Sequence, residues 1–149
     1  MQNKNGPVLT KAQGARGFTL AEVLVALLVL SIGLLGAAGL QLASLRSSQD
    51  AYLRSQASIL ALDMIERMRA NRDAALAGEY DIAFDASPSA GTARSALDLQ
   101  EWRARIADTL PDGKGAVSTN HDLVGVTIRW NARHDGADAT DSFEYETRL

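Results

Sequence analysis

The 149-residue sequence contains no cysteine, which excludes disulfide bonds, cysteine-ligated metals and thiol chemistry. It also lacks the His-Glu-x-x-His and Gly-x-Ser-x-Gly motifs and any phosphate-binding glycine loop. A net charge of −3 and a pI near 5.3 disfavour nucleic-acid binding, which requires a clustered basic surface. We therefore expect a protein that is not an enzyme, binds no cofactor and binds no nucleic acid.

Charge is also missing from a long stretch near the start of the chain. Residues 23–45 contain no Asp, Glu, Lys, Arg or His, and as a helix they would extend over about 34 Å, enough to cross a bilayer. A chain this small has no core large enough to bury such a stretch. The sequence therefore predicts one transmembrane helix.

The residues before this stretch indicate its orientation. Residues 1–17 carry Lys4, Lys11 and Arg16 and no acid, whereas residues 46–149 carry 12 basic and 17 acidic side chains. The apolar part begins only at Phe18 and continues past the length of a secretory signal, so we expect it to be retained. By the positive-inside rule, the amino terminus should stay in the cytoplasm and the distal part should lie outside.

One acid interrupts the apolar sequence that starts at Phe18. Glu22 has no basic residue near it between Phe18 and Leu45, and a carboxylate in hydrocarbon costs up to about 2.5–3.5 kcal/mol. A cation must therefore come from a new amino terminus or from another chain. The alternative is that Glu22 reaches the cytoplasmic interface of an ordinary membrane anchor.

The segment around this acid, residues 17–27, reads GFTLAEVLVAL and resembles the class III signal of type IV pilins and pseudopilins. In that family a membrane-embedded aspartic peptidase cuts after the glycine and methylates the new amino terminus. The resemblance implies cleavage between Gly17 and Phe18 and N-methylation of Phe18. It also implies that Glu22 pairs with the ammonium of a neighbouring subunit during assembly. An uncleaved single-pass anchor remains the alternative.

The resemblance continues through residues 17–80 and is to the PilV family of minor pilins, also called type IV pilus modification proteins. It implies a minor pilin that primes type IV pilus assembly, sits at or near the pilus tip, and supports twitching motility and adhesion. The implied partners are other minor pilins, the major pilin, the prepilin peptidase, the inner-membrane assembly platform and a tip adhesin. The implied location is the bacterial inner membrane, with a periplasmic head, and then the pilus fibre. A type II secretion pseudopilin and a membrane-anchored periplasmic binding module remain alternatives.

The chain is expected to have an α+β, type IV pilin-like fold with four segments. These are a leader (1–17), a transmembrane half-helix (18–45), an amphipathic periplasmic half-helix (46–77) and a globular head (78–149). Gly33, Gly36 and Gly39 recur every three residues within the membrane part. They indicate close helix contact or local flexibility, or only the general enrichment of glycine in membrane helices.

Periodicity predicts the elements of the head. The first helix should reach about Leu76 and end near Gly78, followed by a loop over residues 79–96. Ser95 and Asp98 resemble a capping box for a second helix that ends before Pro111. Strands are predicted at residues 116–119, 123–132 and 142–148, forming a small antiparallel sheet packed on the helix. The side chains expected to join head and helix are Leu53, Leu60, Met64, Trp102 and Trp130.

An acidic loop near the carboxyl end is the only metal candidate in the sequence. Asp135, Asp138 and Asp141 are spaced closely enough to bind calcium, but Gly136 does not fit an EF-hand loop. Solvation of a hairpin explains the same residues equally well. We therefore assign no metal site.

Overall fold

The structure is a computed structural model that describes residues 17–132 and 140–149. It contains three helices and three strands: α1 (Leu20–Ala70), α2 (Arg72–Leu76), α3 (Arg94–Thr109), β1 (Lys114–Asn120), β2 (Leu123–Asn131) and β3 (Thr140–Arg148). The predicted α+β class, a long N-terminal helix with a small antiparallel sheet, is confirmed. The chain divides into two compact units whose boundary, between Ala43 and Ser44, falls within α1.

The first unit contains the apolar part of α1. Every residue from Gly17 to Ala43 is exposed in the part of the chain that the structure describes. Apolar side chains lie on all sides of this part of the helix. Among the described residues, α1 is the one helix long and apolar enough to cross a membrane. Its composition is consistent with the predicted membrane segment.

The second unit, Ser44–Leu149, has a hydrophobic core of its own. The later turns of α1 place one stripe of side chains in this core, because apolar residues recur there every three or four positions. Helix α3 and the sheet cover the stripe. These elements contribute the following buried residues to the core: Ala57, Leu60, Ala61, Met64, Ile65 and Met68 from α1, Leu99, Trp102 and Ile106 from α3, and Val117, Val124, Val126, Ile128 and Trp130 from the sheet.

Helix α1 ends earlier than the sequence predicts. Asn71 adopts φ −127° and ψ 52°, outside the helical region, and its side-chain amide donates a hydrogen bond to the hydroxyl of Tyr80 over 3.2 Å. The remaining turn forms the separate helix α2. Gly78 then takes a left-handed φ of 78°, which favours glycine and turns the chain away from α2.

The predicted capping box at the start of α3 is wrong. The N-cap is Ala93, and no side chain caps this end of the helix. The Ser95 hydroxyl donates to Glu79 over 3.0 Å, and the Asp98 carboxylate accepts hydrogen bonds from Tyr80 and two arginines. Both side chains are buried. They form hydrogen bonds with other side chains and therefore not with the backbone N–H groups that a capping box would satisfy.

The three strands form an antiparallel sheet in the order β1-β2-β3. On β2, Val124, Val126, Ile128 and Trp130 are buried and the residues between them are more exposed, as period-two alternation predicts for a sheet with one solvated face. Gly115 on β1 lies against α3, where a Cβ atom would overlap the Trp102 ring. Glycine at this position therefore permits close packing of helix and sheet.

Candidate assembly site

The predicted processing site lies at the start of α1. Phe18 has 82 % of its surface exposed and precedes the first helical turn. The Thr19 hydroxyl accepts a hydrogen bond from the Glu22 backbone N–H over 3.2 Å, which satisfies one of the free donors at the helix start. Helical structure thus begins at Leu20, the third residue after the Gly17–Phe18 bond.

The Glu22 carboxylate lies on an apolar surface of this helix. It shares a shallow groove with Phe18, Ala26 and Leu30. Within residues 17–132 and 140–149, no side chain forms an ion pair with it. The helix surface beside this acid is therefore apolar, and the described part of the chain supplies no cation to it.

The three glycines of the membrane segment face open space. A Cβ atom built on Gly33, Gly36 or Gly39 would meet nothing within 4 Å. Packing inside the described chain therefore does not explain these glycines.

The residues expected to join head and helix occupy the core of the second unit. Leu60, Met64, Trp102 and Trp130 are buried, and Leu53 is partly buried against them. The Trp102 indole N–H donates a hydrogen bond to the Leu60 carbonyl over 2.9 Å. This bond satisfies the buried indole and fixes α3 directly on α1.

An ion-pair cluster joins the last turns of α1 to α3. Arg67 contacts Asp63 at 3.0 Å, Asp98 at 3.1 Å and Glu101 at 2.9 Å, and Arg105 contacts Asp63 at 2.9 Å. The hydrogen bond with Glu101 raises the pKa of Arg67, while partial burial opposes the rise. The same bond lowers the pKa of Glu101. Asp63 and Arg67, near the end of α1, thus form their ion pairs within the chain.

Tyr80 and Asp98 form the buried part of this cluster. The Tyr80 hydroxyl donates to Asp98 over 2.8 Å, and burial raises its pKa. Asp98 is 3 % exposed and is also paired with Arg94 at 3.1 Å. Sequence reasoning missed these roles, although Asp98 lies one helical turn before Trp102 on the apolar stripe of α3, where an acid needs partners.

Arg103 holds the segment that precedes α3. Its guanidinium donates hydrogen bonds to the carbonyl oxygens of Ala83 at 2.6 Å, Phe84 at 2.9 Å and Ala86 at 2.8 Å. Burial lowers the pKa of Arg103. The segment over residues 81–86, here called the strap, was predicted only as part of a loop.

The acidic loop falls mostly outside the described residues. Asp135 and Asp138 lie in 133–139, which the structure does not describe. Asp141 is described, and its carboxylate accepts the backbone N–H of Ser142 over 2.8 Å. In the described ranges, no three His, Cys, Asp or Glu side chains form a group able to hold a metal ion.

Comparison with protein families relates this geometry to known proteins. A model described as the prokaryotic N-terminal methylation motif matches residues 13–38, and a model described as type IV pilin Tt1218 matches residues 39–97. The two matches adjoin and place residues 13–97 among type IV pilins with an N-terminal methylation signal. Comparison with curated proteins and with solved structures found no significant match.

These two matches give the coarse function of the protein. Pilins are structural subunits, so this pilin is a pilus component and not an enzyme. The methylation motif implies processing by a prepilin peptidase and assembly with other pilins. The apolar helix after the motif agrees with membrane anchoring before incorporation into a pilus. Both matches end before the sheet, whose description comes from the structure alone.

Proposed function

We propose that this pilin is a minor pilin of the PilV type that primes type IV pilus assembly and is incorporated at or near the tip. The observation that carries the proposal is Glu22, an acid on an apolar helix surface with no cation among the described residues. The resemblance of residues 17–80 to the PilV family supports the minor role. Twitching motility and adhesion depend on this step.

Processing supplies the missing cation. Cleavage between Gly17 and Phe18 removes the leader and creates an ammonium group at Phe18, which is then N-methylated. Glu22 becomes the fifth residue of the mature chain. Its carboxylate pairs with the ammonium of a neighbouring subunit, because two opposite charges in a medium of low dielectric attract strongly once both have left water.

Membrane topology places the chain for this pairing. The basic leader, with Lys4, Lys11 and Arg16, stays in the cytoplasm, and the head lies in the periplasm. The prepilin peptidase and the inner-membrane assembly platform act at the membrane. Other minor pilins, the major pilin and a tip adhesin are the partners in the fibre.

A deletion strain complemented with variants tests this proposal. We expect deletion to abolish twitching and leave protein secretion intact. Complementation with the wild-type chain should restore twitching. Glu22→Ala should insert normally but lower the number of pili and the co-purification of other pilins. Glu66→Ala, which removes an exposed acid farther along α1, is the matched control and should behave as wild type.

Each other outcome points to a different function. Loss of secretion with normal twitching would identify a type II secretion pseudopilin. Normal twitching and normal secretion would favour a membrane-anchored periplasmic binding module. Wild-type pilus numbers with Glu22→Ala would remove the pairing role.

A further inference from the structure

The two edges of the sheet differ in how the chain covers them. The strap lies along the β1 edge, where Ile82 and Val117 exchange two backbone hydrogen bonds of 2.9 Å each. Arg103 fixes the strap through three carbonyl oxygens. Strand β3 forms the other edge, and in the part of the chain that the structure describes no strand pairs with its outer side.

The register shows which backbone groups this open edge presents. The Leu149 N–H donates to the Asp122 carbonyl over 3.1 Å, one step beyond the β2–β3 register. Because hydrogen-bonded and non-hydrogen-bonded pairs alternate in an antiparallel ladder, the odd-numbered residues of β3 bond to β2. The N–H and C=O groups of Glu144 and Glu146 therefore point away from the sheet. Nearer the start of β3, the Asp141 carboxylate accepts a hydrogen bond from the Ser142 backbone N–H over 2.8 Å.

The side chains beside these groups are acidic. Glu144 and Glu146 are exposed, and their direct cross-strand neighbours on β2 are Thr127 and Gly125, which carry no charge. In the central antiparallel registers, a second copy of β3 would set a glutamate of one copy opposite a glutamate of the other, and like charges on paired strands are destabilising. The basic side chains on the same face, Arg148 and Arg129, already contact Asp122 at 3.6 Å and the Phe84 ring at 3.9 Å. The charge pattern therefore favours a basic strand from a different protein over a second copy of this chain.

We propose that β3 is a docking strand that accepts an extended basic segment of another protein chain as the fourth strand of the sheet. Backbone hydrogen bonds to Glu144 and Glu146 give this contact its geometry, and Lys or Arg side chains beside the two carboxylates give it specificity. The test of this contact does not depend on the proposed priming role, because it uses the purified chain alone.

A synthetic peptide of alternating lysine and valine residues serves as the probe, added to the full-length chain in detergent micelles. Fluorescence anisotropy measures affinity, and hydrogen exchange measures protection of individual backbone amides. We expect the peptide to slow exchange at the amides of Glu144 and Glu146. The same peptide N-methylated at alternate residues should bind weakly and protect neither amide, because it cannot form the ladder.

Variants separate charge from backbone pairing. The double substitution Glu144→Gln and Glu146→Gln should weaken binding by about tenfold at low salt and leave the fold intact, since both side chains are exposed. Glu66→Gln, the loss of one exposed charge on α1, is the control and should not change affinity. Absence of binding, equal binding of the N-methylated peptide, unprotected amides, or unchanged affinity of the double variant would each overturn the proposal. In those cases the glutamates serve only to keep the sheet edge from pairing.

Discussion

The two units of the chain differ in how their apolar side chains are used. In residues 17–43 no side chain is buried, whereas Ser44–Leu149 encloses a core to which the three helices and the sheet contribute. The more hydrophobic stretch, residues 17–43, is thus the one without a buried side chain. A helix that is apolar all round needs a lipid or protein environment, while a striped helix needs only one packed face.

Helix α1 contributes to both units, and its sequence shows why only one of them buries apolar side chains. Its first part carries apolar residues on every side and interrupts them with Glu22. Its later part alternates core residues such as Leu60 and Met64 with the charged residues Asp63 and Arg67. The arrangement of apolar residues, and not their number, therefore decides which part of the helix forms the core of a folded unit.

The largest expected effect is on processing of the first unit. Gly17→Leu should leave the leader attached, because a bulky side chain replaces the small residue at the proposed cleavage position. Intact-mass measurement of the membrane-bound chain would then return the unprocessed mass. Gly14→Leu, within the leader, is the control and should be trimmed normally. A normally trimmed and methylated Gly17→Leu chain would refute the proposed cleavage position.

A core substitution should break the second unit and spare the first. Trp102→Ala removes a fully buried ring and its hydrogen bond to Leu60, and we expect a loss of about 3–5 kcal/mol in the free energy of unfolding. Denaturant titration of the full chain in micelles, followed by near-ultraviolet circular dichroism, measures it. Helical signal from residues 20–43 should persist after the head unfolds.

The matched control for this experiment lies on the same helix. Leu97 is half exposed on α3, so Leu97→Ala should change the free energy of unfolding by no more than about 0.5 kcal/mol. Equal losses in the free energy of unfolding for Trp102→Ala and Leu97→Ala would show that the buried and exposed faces of α3 contribute equally to stability. That result would contradict the described core.

The smallest expected effect concerns acid stability of the second unit. The hydrogen bond from Arg67 lowers the pKa of Glu101 from its ordinary value of 4.5. The ionised form is therefore favoured in the folded state, so its stabilising contribution is present above pH 4.5 and is lost as the pH falls through the lowered pKa. Glu101→Gln should make the denaturation midpoint less sensitive to acidification below that value.

Glu66→Gln provides the comparison for this measurement. Glu66 pairs with Arg69 on the exposed surface of α1 at 2.6 Å, a kind of pair that contributes little to stability. We expect its acid profile to match that of the wild-type chain. An unchanged profile in Glu101→Gln would show that the contact with Arg67 does not contribute to acid stability.

Much of the fold could be predicted because its signals are local. Periodicity predicted a strand over residues 123–132, where β2 lies, and a helix ending before Pro111, where α3 lies. The family matches for residues 13–97 agree with the resemblance that the signal around Glu22 carries. The PilV assignment, the cleavage position and the pairing of Glu22 stay predictions.

By itself, the sequence determined which stretches are helix or strand and which segment avoids water, because period and charge act over neighbouring residues. The tertiary structure decided the break at Asn71, the use of Asp98 as a buried ion-pair partner, and the placement of the strap on β1. Each of these depends on a partner distant in sequence. A polar group takes the best hydrogen bond that the packed chain offers, and only folding shows which group that is.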